Sequence, residues 1–205
     1  MEAKHVIATL TTVLLLIACS TSPHFGDSYT VIIDPSFDET DAASFPIALQ
    51  SWEALAAGHL HFTSRVAKPG DCSSDKPGQI CIIAASLAEV GANDNGSGTG
   101  WLGFTNINDN GGSHIYMSVS NDTKFSTDQF ATIVAHELGH AMGLAHTLPT
   151  TFTVMLPGWY SEGKPNAPLP TCNDYAQFAD VRGISHVNAS CPSGGSYVLN
   201  GDGTD

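Results

Sequence analysis

The sequence predicts an α+β domain in which five strands share one sheet and three helices accompany it. Three features of the 205-residue chain predict this. Five short runs of alternating or wholly apolar residues, rich in Val, Ile and aromatic side chains, fall between residues 29 and 122 and are bounded by turn formers. A stripe of apolar residues at helical spacing separates the first run from the second. Two boundary signals, the Ser126-x-x-Gln129 capping box and Gly183, mark a helix start and a helix end in the second half.

In chain order, YTVIID at residues 29–34 alternates and carries β-branched residues, so it reads as the first strand. SFPIALQSWEALAAG then puts Phe45, Leu49, Trp52, Leu55 and Ala56 on one helix face, with Gly58 beyond the end. HLHFTSRV and QICIIAA follow as strands. The second is apolar throughout, as expected of a central strand buried on both faces. WLGFTNI, the fourth run, lies between NDNGSG and NDNGGS, near repeats whose Asp, Asn and Gly favour tight turns. HIYMSVSND is the fifth strand. The capping box then opens a helix across residues 136–140, and after a Pro-rich loop TCNDYAQFADVRG reads as a last helix ending at Gly183. Residues 192–205, rich in Gly and Asp, are expected to form a flexible tail.

Composition bounds the function. With 42% hydrophobic residues the chain can bury one core, expected as a single monomeric domain over residues 29–191. A net charge of −13 leaves no basic face, which excludes nucleic acid as a partner and charge-driven binding to anionic lipid. At the N-terminus, Lys4 precedes an apolar run from Val6 to Ile17 that is too short for an ordinary membrane span but fits a secretory leader. Its end, Leu16-Ile17-Ala18-Cys19, resembles the bacterial lipobox. Residues 1–18 are therefore expected to be a lipoprotein signal peptide, Cys19 a lipidated anchor to the membrane, and residues 19–28 a polar tether. The product is an exported bacterial lipoprotein facing the periplasm or the extracellular space. Of five cysteines, Cys72, Cys81, Cys172 and Cys191 then remain, an even number that suggests two disulfides. Three connectivities are allowed, and local pairing of Cys72 with Cys81 and Cys172 with Cys191 is preferred.

The stretch HELGHAMGLAH, residues 136–146, carries the chemistry. His136 and His140 lie one helical turn apart on one face, the spacing two imidazoles need to grip one ion at about 2.0–2.1 Å. A continued helix would carry His146 about 240° round and roughly 9 Å along the axis, so the third histidine reaches the same ion only if the chain turns back. Gly143 supplies the residue at which it can.

These residues match the H-E-x-x-H-x-x-G-x-x-H signature of the metzincin zinc endopeptidases, and Met155 resembles the methionine turn that lies beneath the metal in that group. Thr147 after the third histidine resembles the matrixin branch. The resemblance covers about residues 29–183. It implies a zincin-like fold: a twisted, mixed five-stranded sheet with one antiparallel edge strand, an active-site helix and a C-terminal helix. It further implies one catalytic zinc on His136, His140 and His146, with an open position for water whose pKa the metal lowers. Glu137 is then the general base for attack on a peptide carbonyl. WLGFTNI falls where the antiparallel edge strand borders the cleft, so Leu102, Gly103 and Phe104 are expected to bind substrate as an added strand. Pro157 and Trp159 fall at the wall of the pocket for the residue after the cleaved bond. Asp174 is placed to brace the methionine turn. Calcium is a second cation the resemblance allows around residues 91–113. No cysteine-switch segment precedes the first strand, so latency through a thiol is not expected. The function implied is a secreted zinc-dependent endopeptidase acting on protein or peptide; the rival reading is a non-catalytic surface lipoprotein that binds peptides through the same cleft.

Overall fold

The computed structural model describes residues 27–74, 76–86, 88–90, 102–108, 110–119, 125–148, 150–157 and 168–200. Cys19 and the whole leader lie outside the described residues, as do Trp159 and the run at 93–98.

Strands β1 (Ser28–Ile33), β2 (His61–Val66), β3 (Gln79–Ala85), β4 (Gly103–Ile107) and β5 (Ser113–Ser118) form one sheet in the order β2-β1-β3-β5-β4. The first three pairings are parallel, and β4 alone is antiparallel, with Gly103 opposite Met117 and Thr105 opposite Ile115. The short link explains this reversal. Asn108 N–H donates to Gly112 O at 2.9 Å, Gly111 N–H to Asn108 O at 2.8 Å, and Gly111 sits at φ 82°, so the NDNGGS run closes a β4–β5 hairpin. The apolar strand β3 is central, with Ile80, Cys81 and Ile82 buried.

Helices α1 (Glu39–Ala42), α2 (Ser44–Ala56), α3 (Thr127–Ala141) and α4 (Cys172–Arg182) complete the domain. The expected stripe of α2 is its buried face: Phe45, Leu49 and Trp52 join Phe130, Val134 and Leu138 of α3 over Val31, Ile80, Ile82 and Ile115 of the sheet. Each such side chain contributes about 1.5–3 kcal/mol relative to exposure. Trp52 also donates its indole N–H to Ala135 O at 2.9 Å, which fixes the rotation of α3 as well as its distance. The Ser126–Gln129 capping box is formed as expected, and Thr171 with Asp174 makes a second one that starts α4.

Cysteines pair locally, Cys72 with Cys81 and Cys172 with Cys191, as preferred. The tail departs from expectation. Residues 192–200 are held against the domain rather than loose: Tyr197 donates its hydroxyl to Asp180 Oδ2 at 2.6 Å, and Leu199 forms an antiparallel bridge with Thr147. Its Gly-rich composition reports backbone freedom, but the disulfide at Cys191 and a strand partner that only the tertiary fold supplies restrict that freedom. Among the described residues, no helix is long and apolar enough to cross a membrane.

Candidate metal centre

Helix α3 carries His136 and His140 toward one point and then stops. Gly143 at φ 91° ends it in a Schellman arrangement: Leu144 N–H reaches Gly139 O at 3.0 Å and Gly143 N–H reaches His140 O at 2.7 Å. The reversed chain returns His146 to the same point. The three Nε2 atoms stand 3.0 Å (His136 to His140), 3.1 Å (His140 to His146) and 3.3 Å (His136 to His146) apart. Among the described residues this is the one group of His, Cys, Asp and Glu side chains arranged to hold a metal.

The donor set fits zinc on two counts. A tetrahedral ion with nitrogens at about 2.0–2.1 Å requires them about 3.3–3.4 Å apart, close to the separations found. The tautomers also agree. His136 Nδ1 lies 2.7 Å from Val154 O and His140 Nδ1 2.8 Å from Leu144 O; a carbonyl only accepts, so each Nδ1 carries the proton and each Nε2 presents a lone pair. Lone pairs this close repel unless a cation lies between them. Burial lowers the pKa of His136, and burial together with the two neighbouring imidazoles holds His140 well below the usual histidine value, so both are neutral ligands at pH 7.

Met155 is fully buried against Gly139 of α3. Its sulfur occupies the space a side chain at Gly139 would need: a Cβ there would stand 2.3 Å from Met155 Sδ. The backbone before it orients a ligand, because Val154 O is the acceptor for His136. Asp174, wholly buried, braces that turn as expected, accepting from Val154 N–H at 3.1 Å and from Thr171 N–H at 2.7 Å. Burial pushes the Asp174 carboxyl up to about 6, against the Thr171, Val154 and Met155 donors, which pull it down.

Glu137 points at the edge strand. Thr105 Oγ1 lies 2.6 Å from its Oε2, and Gly103 is the floor on which the carboxylate rests: a Cβ at Gly103 would meet Glu137 Cγ and Oε1 at 2.7 Å. Burial pushes this carboxyl up to about 7, opposed by the Thr105 hydroxyl and by His146. A carboxyl so poised can take up and return a proton near neutral pH. Thus Gly103, expected to bind substrate, also packs on the glutamate, whereas Leu102 and Phe104 flank it, both partly buried. Pro157 follows the methionine turn, partly buried.

The family model for metallopeptidases of family M12B, reprolysin-like, matches residues 79–204, more than half of the chain. The chain belongs to the reprolysin-like metallopeptidase family. The reprolysin-like match begins at β3 and takes in the hairpin, all three histidines, α4 and the tail. The structural arrangement is that of the metzincin type. No curated protein matches the sequence. Among the solved structures similar to this chain are two of low sequence identity. One is the GM1-bound form of the ECX AB5 holotoxin, at 12% identity over 68% of this chain and 68% of that one, with a TM-score of 0.44. The other is High choriolytic enzyme 1, a hatching-enzyme zinc protease from the medaka fish Oryzias latipes, at 13% identity over 77% of this chain and 90% of that one, with a TM-score of 0.44.

Sequence reasoning missed three contributors to this site. Thr105 shares a strand face with Gly103 at spacing two, a signal that needed the β4-to-α3 packing to be read. Trp52 and Gly139 were visible only as core and helix residues.

Proposed function

We propose that the protein is an exported zinc endopeptidase that hydrolyses peptide bonds with Glu137 as general base, held at a bacterial membrane through a lipidated Cys19. The observation that carries the reading is the convergence of the His136, His140 and His146 side chains on one point beside the buried Glu137. When bound by His136, His140 and His146, zinc would supply Lewis acidity, polarising a carbonyl and lowering the pKa of water. Glu137 removes the proton from the attacking water and returns it to the leaving amine. Thr105 holds the Glu137 carboxylate through that exchange. The substrate peptide adds as a strand along the outer edge of β4, past Leu102, Gly103 and Phe104, because β4 pairs with β5 on its other side. Pro157, which follows the methionine turn, borders the pocket for the side chain beyond the cleaved bond.

The finer reading, a matrixin-like variant of the metzincin site, rests on Thr147. Its hydroxyl lies 2.7 Å from Thr153 Oγ1 in a pocket where Thr147 is 1% exposed, so the position takes a neutral hydroxyl rather than a carboxylate. Export agrees with two disulfides, which persist in oxidising compartments. The test is cleavage of an unstructured protein by the metal-loaded chain, abolished by a chelator and restored by zinc. Intact-mass analysis of the native processed protein tests the anchor: an unmodified Cys19 would refute it.

A further inference from the structure

We propose that the C-terminal strap, residues 192–200, positions the third metal ligand, so that retention of zinc at His146 depends on a segment remote from the histidine motif in sequence. The inference rests on the zinc reading above.

His136 and His140 are set by helix α3, but His146 lies beyond the Schellman stop and has no helix to hold it. Its segment is instead the middle of a three-layered ribbon. On one side Thr147 N–H donates to Met155 O at 2.9 Å. On the other, Asn200 N–H donates to the carbonyl of His146 itself at 2.9 Å, Leu148 N–H donates to Val198 O at 2.8 Å, and Thr147 faces Leu199 in an antiparallel bridge. The strap is itself fastened at three places. The Cys172–Cys191 disulfide fixes its start, Ser196 N–H donates to Asn173 Oδ1 at 3.1 Å, and Tyr197 donates to Asp180 Oδ2 at 2.6 Å.

Its path is demanding. Where the strap crosses the start of α4, a Cβ at Gly195 would stand 1.8 Å from the carbonyl oxygen of Cys172, a separation no side chain can occupy, and Gly194 beside it sits at φ 68°. Two glycines therefore let the strap lie close enough to α4 to reach the His146 segment. Without the strap, that segment would lose the donor to the His146 carbonyl and its antiparallel partner, keeping the bond from Thr147 N–H to Met155 O and the one from Gln177 Nε2 to Ala145 O at 3.1 Å. Partners of ligating residues are worth about 10–100-fold in metal affinity.

The experiment uses the mature full-length protein loaded with zinc and measures zinc transfer to a competing chelator at equilibrium. Three variants accompany the parent: Gly195→Ala, which forces the strap off the Cys172 carbonyl; Asn200→Pro, which deletes the N–H that donates to His146 O; and Ile32→Val, a buried change on β1 that lowers stability away from the site. The strap variants are expected to hold zinc about tenfold more weakly, with Ile32→Val matching the parent. If Gly195→Ala does not fold, Asn200→Pro decides alone. Strap variants that hold zinc as tightly as the parent overturn the proposal and leave the zinc reading standing. A parent that binds no zinc overturns both.

Discussion

Thr105 and Glu137, 32 residues apart, meet at 2.6 Å between the edge strand and the helix that carries two of the histidines. The same hydroxyl lies 3.1 Å from the Glu137 main-chain carbonyl, so one side chain ties β4 to both the backbone and the carboxylate of a single helical residue. A hydrogen bond to a charged group is worth about 1.5–3 kcal/mol, roughly 10–100-fold in a rate if it is used in the transition state. Thr105→Val should therefore lower kcat by about that factor with KM and zinc content little changed. Thr105→Ser should restore most of the activity. Steady-state kinetics on the three proteins with measured zinc content checks it, and a valine variant as fast as the parent would remove Thr105 from the account.

Gly139 yields a prediction opposite in sign to helix propensity. In an exposed helix interior, replacing glycine by alanine stabilises by about 1 kcal/mol. Here the new methyl would stand 2.3 Å from the sulfur of the fully buried Met155, with Trp52 at 3.4 Å closing the other side. Gly139→Ala should destabilise by about 1–3 kcal/mol through overpacking. Urea unfolding of the metal-free protein measures it, and a raised midpoint would contradict the packing described.

Asp174 gives a pH dependence. Its folded carboxyl sits at about 6, above the unfolded value, so the folded state binds the proton more tightly than the unfolded chain. The stability this contributes is fully present below about pH 4 and is lost as pH rises through about 6. Asp174→Asn should remove that slope. Unfolding curves of metal-free parent and variant from pH 4 to 7 would show a falling curve for the parent and a flatter one for the variant; parallel curves would count against the assignment.

The parts of this fold that were legible in the sequence are those set by local periodicity and local backbone chemistry. The apolar run QICIIAA announced a central strand, Ser126 and Gln129 announced the start of α3, and the spacing of His136, His140, Gly143 and His146 required a helix, a reversal and a returning ligand. Asp174 was legible through the resemblance. What stayed hidden depends on how elements meet. Whether Thr105 faces Glu137 is decided by the placement of β4 over α3, and the value of Gly139 lies in the sulfur beneath it. The strap looked loose because its glycines signal freedom, whereas in the fold Gly195 permits a close crossing that pins it.

The most direct test of the central claim is peptide turnover, measured together with zinc content, for Glu137→Gln beside the parent. Glutamine keeps the size and polarity of the side chain but cannot take the proton. The account predicts a folded variant that holds zinc as the parent does and turns over peptide about 10²–10⁴-fold more slowly. A variant that holds zinc and cleaves as fast as the parent would contradict the mechanism, and a zinc-loaded parent that cleaves nothing across a broad peptide library would contradict the enzyme itself in favour of a peptide-binding module.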